Sequence, residues 1–268
     1  MKSKTFLSIP YIIWMLVFTL TPLFLVAWYA IYDNGFTLSH ISAVFEPIYL
    51  RIILYSFWVA FLTTVICLGF GFPIAVILSG DTFKHKNALL FLLLAPMWMN
   101  FLLRTYSWLT LLENNGIINN IIAFFGFERQ QLLYTETSVY LGMVYNFLPF
   151  MVLPIHSVIS KIDNKIIEAA RDLGASKKEI LRKIIFPLSL PGVFSGILMV
   201  FMPAVTTFVI TRLLGGGKKE MIGNIIEQQF IVSGNWGLGA ALSLVLMIII
   251  LFCVYLLNRK SVEGGALI

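Results

Sequence analysis

Charged residues are scarce in this chain. Of its 268 residues, 12% are charged and 59% are hydrophobic, and its mean hydropathy is +0.90. Because a soluble domain has roughly 25% charged residues, this composition excludes an ordinary soluble protein. The apolar runs are continuous and do not alternate with polar residues, which argues against a membrane β-barrel. The composition therefore predicts an all-α integral membrane protein.

Cysteine and histidine are also rare. The two cysteines, Cys67 and Cys253, fall inside apolar runs, where they give no argument for a disulfide. The three histidines are far apart in the chain and lack the spacing of metal ligands. Neither a metal site nor a resident cofactor is predicted for this chain.

A run of glycines and lysines at residues 215–219 invites an enzymatic interpretation. The phosphate-binding pattern G-x-x-x-x-G-K-[ST] is not met, because Arg212 stands at its first glycine and Lys219 at its hydroxyl position. We therefore predict that the chain is not an enzyme and does not hydrolyse ATP itself.

Six long apolar segments account for most of the chain. They lie near residues 9–31, 52–79, 88–112, 138–159, 191–212 and 238–257. Each is long enough to cross a hydrocarbon core of ~30 Å as a helix. The expected architecture is a single membrane domain, residues 1–268, with six transmembrane helices and a polar loop at residues 160–190. A short helix is also expected at residues 117–122, on the outer surface.

The basic residues favour one orientation in the membrane. If both termini lie in the cytoplasm, thirteen of the nineteen lysines and arginines fall on that side: Lys2, Lys4, Lys84, Lys86, Lys161, Lys165, Arg171, Lys177, Lys178, Arg182, Lys183, Arg259 and Lys260. Cytoplasmic segments of membrane proteins carry such an excess. We therefore predict that both termini and the loop are cytoplasmic, and that the net charge of +6 reflects topology rather than nucleic-acid binding.

Glycine and proline interrupt several apolar segments. Gly192 and Gly196 form a G-x-x-x-G step, which lets two membrane helices approach closely. Pro149, Pro154 and Pro203 fall inside predicted spans. Ordinary helix packing explains each of these residues alone, but together they favour a transporter over a passive anchor.

The loop at residues 160–190 begins with the signals of a short helix. Asp163 is a suitable N-cap, and Gly174 stands where a left-handed helix terminus requires glycine. One apolar stripe follows helical spacing between them, at Ile166, Ala170 and Leu173. The pattern predicts a helix that ends in a tight turn.

A second helix is predicted directly after this turn. Ser176 and Glu179 form the S-x-x-E pattern of a capping box. Pro187 is expected to end this helix, because proline cannot continue one. The whole loop therefore has two interpretations: a basic segment that only fixes topology, or a docking element for a soluble partner protein.

Six residues of the loop follow the spacing E-A-A-x3-G-x9-I-x-x-P. They are Glu168, Ala169, Ala170, Gly174, Ile184 and Pro187. This spacing resembles the EAA loop of bacterial ABC importer permeases, in which a leucine usually precedes the last proline; Phe186 stands there in this chain. A scaffold would not need this loop, and exporters usually carry a fused ATPase domain or much longer intracellular helices.

The resemblance implies a type I importer permease with six transmembrane helices in the bacterial cytoplasmic membrane. It implies that the six residues form a coupling helix in a cleft of an ATPase subunit. It also implies four kinds of partner: a second homologous permease, two ATPase subunits that bind ATP and Mg, an extracytoplasmic solute-binding protein, and the lipid bilayer.

A second resemblance concerns the substrate. The run R-T-Y-x-W-x-x-L-x-x-x-N-G-x-I-N, from Arg104 to Asn119, is similar to the polyamine (spermidine/putrescine) importer permeases. Candidate residues of a substrate path are Trp98, Tyr106, Trp108 and Glu113, because aromatic faces and carboxylates attract protonated amines. The aromatic residues could equally form an interfacial belt. A permease for sulfate, ferric iron, thiamine or phosphonate is the alternative.

Arg104 is a cation well inside a predicted span. Charge is costly at that depth and is usually functional. A cation is a poor neighbour for a polyamine, so a structural or gating role is expected. Glu113 and Glu136 are candidate carboxylate partners, as are backbone carbonyls at a helix break.

Overall fold

The structure is a computed structural model that describes residues 2–33, 35–80 and 85–265, with side chains described between residues 10 and 256 of these ranges. Thirteen α-helices lie in these residues. They are α1 (Lys2–Ile31), α2 (Ser39–Val44), α3 (Pro47–Ser79), α4 (Lys86–Leu94), α5 (Phe101–Leu112), α6 (Ile117–Phe124), α7 (Glu136–Ile159), α8 (Asn164–Asp172), α9 (Lys177–Ile180), α10 (Phe186–Thr206), α11 (Val209–Gly215), α12 (Ile222–Ile231) and α13 (Trp236–Gly265). The helix expected at residues 117–122 is α6.

Five helices of the described chain are long and apolar enough to cross a membrane. They are Pro10–Ile31, Pro47–Ser79, Glu136–Ile159, Lys177–Thr206 and Trp236–Leu256. A sixth candidate is a bent pair, Lys86–Trp98 and Phe101–Phe124. The prediction of an all-α membrane protein is confirmed.

The third predicted span is not the continuous helix that was expected over residues 88–112. Its two arms meet at an angle of 98°. A 3-10 turn containing Pro96 ends the first arm, and Met99 follows in an extended conformation. Asn100 then caps α5, since its side-chain oxygen accepts a hydrogen bond from the N–H of Leu102 at 2.8 Å.

A hydrogen bond favours a broken span over a re-entrant loop for this bent pair. The hydroxyl of Ser160, which follows α7, donates to the hydroxyl of Ser79, the last residue of α3, at 3.4 Å. The two residues therefore lie on the same side, and the chain between them crosses an even number of times. With α7 as one crossing, the bent pair is the other, which brings the candidate spans of the described chain to the predicted six.

The expectation that Pro187 ends the helix of the loop is wrong. The helix is continuous from Lys177 to Thr206. A π-helical turn, Leu181–Ile185, precedes Pro187, and the N–H of Phe186 donates to the carbonyl of Leu181. This wider turn lets the proline, which has no N–H to offer, sit at the start of α10 rather than break it.

The fifth predicted span, residues 191–212, also differs from the structure. Its helix starts earlier and ends at Thr206, because Thr207 is extended. The remaining residues form the separate helix α11, which ends at Gly216 in the left-handed conformation. Gly216 has φ +62°.

The chain divides into two compact units, residues 1–52 with 225–252 and residues 53–224 with 253–268. The prediction of one membrane domain stays a prediction. Of the basic residues that favour the orientation, Lys84 lies outside the described residues, which omit positions 81–84. The same holds for the side chains of Lys2, Lys4, Arg259 and Lys260.

Helices α7 and α10 pack most closely at the two glycines of the G-x-x-x-G step. A Cβ atom at position 196 would lie 2.8 Å from the sulfur and 3.1 Å from the carbonyl oxygen of Met151. At position 192 it would lie 2.8 Å from the carbonyl oxygen of Pro154. Both glycines are buried, so the predicted close approach of two membrane helices is confirmed.

Candidate coupling loop and transport path

Helix α8 is fixed at both ends by its own residues. Oδ1 of Asp163 accepts a hydrogen bond from the N–H of Lys165 at 3.0 Å, which is the predicted N-cap. At the other end, the N–H of Gly174 donates to the carbonyl of Arg171 at 2.9 Å. Gly174 has φ +82°, the left-handed conformation that such a helix terminus requires. The predicted cap and tight turn are confirmed.

The predicted capping box of α9 is present. The N–H of Glu179 donates to the hydroxyl of Ser176 at 3.3 Å, and the N–H of Ser176 donates to Oε2 of Glu179 at 3.0 Å. Lys183 adds an ion pair to Oε1 of Glu179 at 3.1 Å. Because α9 continues through the π turn into α10, these bonds join the loop to a membrane helix.

Most side chains of α8 are exposed, and only Ile167 and Ala170 are half-buried. None of its nine residues is buried, and Ile166 is 47% exposed. Leu173, at its C-cap, is 88% exposed. Glu168 and Ala169 are exposed and Ala170 is half-buried. An amphipathic helix with an open apolar side has room for a partner surface.

The last two motif residues differ from the first four in their surroundings. Ile184 lies in the π turn and Pro187 lies in α10, and both are half-buried. A cleft of about 1060 Å³ is lined by α8, by the start of the helix that begins at Lys177, and by the ends of α3 and α7; Glu168 is the one motif residue in its lining. Glu168, Arg171 and Lys177 are among its charged residues.

The aromatic candidates of the third span lie on both arms of the bend. Trp98, in the 3-10 turn, is 76% exposed and stands edge-on to Phe91 at 5.2 Å between ring centroids. Trp108, on α5, is half-buried and stands edge-on to Tyr145 at 5.3 Å. Tyr106 is 51% exposed. Among the described residues, no ring contact joins these three side chains to one another.

Glu113 contributes its backbone to a turn. Its carbonyl accepts hydrogen bonds from the N–H of Gly116 at 2.8 Å and from the side chain of Asn119 at 3.1 Å. Its side chain is exposed at the C-terminal end of α5. The carboxylate is therefore open to solvent, and the residue also shapes the connection to α6.

Arg104 is buried, with 8% of its surface exposed. Its Nε and Nη1 have no hydrogen-bond partner within the described part of the chain. The guanidinium carbon lies 5.9 Å from the ring centroid of Phe101. Glu136, one of the partners considered for it, forms an ion pair with Lys219 instead.

A buried polar network around Asn224 was not predicted from the sequence. Oδ1 of Asn224 accepts a hydrogen bond from the hydroxyl of Thr211 at 2.7 Å, and its Nδ2 donates to the carbonyl of Phe208 at 2.9 Å. The N–H of Ile222 donates to the hydroxyl of Ser56 at 2.8 Å. The network satisfies the backbone around the break between α10 and α11. The available signal was an asparagine and two threonines among apolar residues.

Comparison with known families decides the class of this protein. Residues 71–262, which include the bent third span and the whole loop, match the family described as binding-protein-dependent transport system inner membrane component. The chain belongs to this family. It is a transmembrane permease, as the EAA spacing indicated.

Two relatives extend the match over most of the permease. The spermidine/putrescine transport system permease protein PotB of Haemophilus influenzae is 37% identical, over 92% of this chain and 92% of the relative. The protein of the same name from Escherichia coli K12 is 39% identical, over 84% of this chain and 85% of the relative.

The fold of the permease is also found in a solved transporter. The crystal structure of a bacterial alginate ABC transporter, in complex with an alginate pentasaccharide-bound periplasmic protein, contains a chain that superposes with a TM-score of 0.83. The superposition covers 95% of this permease and 92% of that chain, at 17% identity. At this identity the likeness concerns the fold alone.

Proposed function

We propose that this permease is a transmembrane subunit of an ATP-driven importer that moves polyamines, spermidine or putrescine, into the cytoplasm by alternating access. The observation that carries the proposal is the similarity to two permeases named for spermidine and putrescine, which extends over 92% and 84% of the chain. The run from Arg104 to Asn119, on which the resemblance to polyamine permeases rests, lies inside the matched family region.

The assembly that this function needs has several chains. A second homologous permease completes the path, two ATPase subunits bind ATP and Mg, and an extracytoplasmic solute-binding protein delivers the substrate. The permease itself carries no cofactor. It lies in the bacterial cytoplasmic membrane with both termini in the cytoplasm, as the distribution of lysine and arginine predicts.

Coupling to ATP hydrolysis is assigned to helix α8 and the turn at Gly174. The helix exposes Ile166, and Leu173 is exposed at its C-cap; its ends are held by Asp163 and by the left-handed turn. A short rigid helix in a cleft of the ATPase transmits closure of that subunit to α9 and α10. Coupling of this kind requires that the ATPase bind the loop differently in its two states.

The substrate path is assigned to the bent third span. Trp98 and Tyr106 expose aromatic faces on either side of the bend, and Glu113 adds an exposed carboxylate at the end of α5. Trp108 packs against Tyr145 and supports the wall of the path rather than its surface. Arg104 has a structural or gating role beside them.

A permease for another small solute, such as sulfate, ferric iron, thiamine or phosphonate, is the second candidate. The observation that favours it is the shared fold with an alginate transporter at a TM-score of 0.83, since one fold serves substrates of different chemistry. The coupling loop would be the same in either case.

The decisive experiment is uptake of labelled spermidine and putrescine into cells that lack the gene, with the restored gene as control. We expect uptake to fall and to return with the gene. Unchanged uptake in cells without a second polyamine system would rule out the polyamine and leave the permease class intact.

A further inference from the structure

A pocket separate from the assigned path lies in the unit formed by residues 1–52 and 225–252. Its volume is about 480 Å³, within the range of about 300–1,000 Å³ that is usual for small-molecule sites. The side chains that line it are Tyr29, Tyr32, Asp33, His40, Asn235 and Trp236. Both segments belong to the side of the membrane that the basic residues predict to be external.

Local structure brings these side chains together. The chain reverses after α1, where Tyr32 bridges to Phe36. On the other segment, Oδ1 of Asn235 accepts a hydrogen bond from the N–H of Leu238 at 3.1 Å and starts α13. A Cβ atom at position 237 would collide with the imidazole of His40, so the glycine there is what lets the two segments close around the pocket.

Aromatic rings form a large part of the pocket lining. The rings of Tyr29 and Trp236 lie 5.8 Å apart between centroids, at an angle of 44°. Phe230 supports Trp236 from the side, edge-on at 5.4 Å. Tyr29, Tyr32 and Trp236 all keep part of their surface exposed. Faces of such rings attract cations, and tryptophan does so most strongly.

The polar groups of the pocket are suited to a ligand that donates hydrogen bonds from N–H groups. Asp33 supplies a carboxylate whose side chain is 61% exposed. Nε2 of His40 lies 3.7 Å from Oδ2 of Asp33, and it is buried without a hydrogen-bond partner in the described chain. The lining contains neither lysine nor arginine. A protonated amine therefore matches the pocket, whereas an anion would meet the carboxylate.

We propose that this pocket is an external binding site for the alkylammonium end of a polyamine, with Asp33 as counter-ion and Tyr29 and Trp236 as the aromatic walls. The proposal rests on the polyamine function and adds an entry site outside the third span. Nε2 of His40, which is buried without a hydrogen-bond partner in the described chain, faces the same ligand.

The test is equilibrium dialysis of labelled spermidine against the purified complex of permeases and ATPases, without the solute-binding protein. We expect Asp33→Asn to weaken one spermidine site per chain by about tenfold, as loss of a charged hydrogen-bond partner does, and Asp33→Glu to recover part of the affinity. Glu46→Gln is the matched control, because Glu46 is an exposed acid of the same unit that does not line the pocket. Trp236→Phe should reduce the quenching of tryptophan fluorescence by spermidine.

Equal spermidine affinities for the wild-type and Asp33→Asn complexes would overturn the site, while wild-type polyamine uptake would keep the proposed function. Absence of polyamine uptake by the wild-type protein would remove the function and the site together. Putrescine is expected to compete with spermidine for the pocket. If glycerophosphoethanolamine competes better than putrescine, the pocket is a lipid head-group site and the proposal is overturned.

Discussion

The interface of α7 and α10 and the loop around α8 use their residues in opposite ways. At the interface, Gly192 and Gly196 are buried and the helices approach to van der Waals distance of the backbone. In the loop, Ile166 and Leu173 are apolar and yet exposed. Residues of the interface contribute to folding, whereas Ile166 and Leu173 bury little of their surface within the chain. They are therefore available to a partner protein.

One helix connects these two regions. The helix from Lys177 to Thr206 starts at the capping box of the loop and ends among the buried residues of the membrane. The π turn at Leu181–Ile185 lies between them. On the proposed function, a force on the loop would be transmitted along this helix to the α7 interface, since a hydrogen-bonded helix bends less readily than a loop. The comparison therefore predicts that substitutions at the α7–α10 interface lower stability, whereas substitutions in the loop lower transport.

The largest effect is expected from Gly196→Leu. Its side chain would collide with the sulfur and the carbonyl oxygen of Met151, which a Cβ atom alone already reaches at 2.8 and 3.1 Å. Overpacking costs about 1–3 kcal/mol and occasionally more, so we expect most folded protein and all uptake to be lost. Thermal unfolding in detergent measures this. The control is Gly69→Leu, where no atom lies within 4 Å; equal melting of the two variants would contradict the close packing.

A large effect on transport alone is expected from Gly174→Asp. A side chain at φ +82° strains the turn, at a cost of about 1 kcal/mol, and changes the angle between α8 and α9. We expect uptake to fall by about 100-fold, within the range of coupling free energies, with unchanged membrane insertion. Gly126→Asp is the matched control, because Gly126 has φ +84° and also has no atom within 4 Å of its Cβ position. If Gly174→Asp and Gly126→Asp lower uptake equally, backbone strain at a glycine explains the loss, and the position of Gly174 in the coupling loop does not.

Glu168→Lys should have a smaller effect, because it changes one charge and leaves the turn intact. Glu168 is exposed and lies on α8, so its charge acts on the partner and not on the fold. We expect uptake to fall by about tenfold with less ATPase recovered in the purified complex, and an unchanged melting temperature. Glu128→Lys, a charge reversal at another exposed residue, is the control. Full uptake together with normal ATPase recovery would exclude Glu168 from the contact.

The parts of the loop that could be predicted from sequence are those held by near neighbours. Asp163 caps an N–H two residues away, and Ser176 and Glu179 bond to each other across three residues. Gly174 is required by one backbone angle. Such features need no information about the rest of the chain, so residue type and spacing specify them.

The parts that could not be predicted depend on distant residues or on a choice between similar energies. Pro96 and Asn100 are each compatible with a straight transmembrane helix. Contacts with the rest of the protein determine that the span bends by 98°. Pro187 was expected to end a helix, but a π turn of five residues accommodates it. The pocket of Tyr29 and Trp236 joins residues more than 200 positions apart, which no local pattern specifies.

Arg104 lies in neither the α7–α10 interface nor the loop, and its substitution tests the comparison of these two regions most directly. It is buried like a residue of the interface, with 8% exposed, and charged like a residue of the loop. Two of its nitrogens have no partner within the described chain. Arg129 offers a matched control: it is exposed, and its Nη1 donates to Oδ1 of Asn115 at 2.7 Å.

Arg104→Met removes the charge and keeps an unbranched side chain. Replacing buried charged groups by apolar side chains of similar volume is often neutral or stabilising, and Nε and Nη1 of Arg104 have no partner within the described chain, so the isolated chain should melt no lower than wild type. Uptake should still fall, by about threefold, because a buried charge in a membrane helix is retained for function rather than for packing. Arg129→Met should show the reverse, a slightly lower melting temperature with normal uptake. If Arg104→Met melts lower and transports normally, Arg104 stabilises the fold in the same way as the α7–α10 interface, and its gating role is excluded.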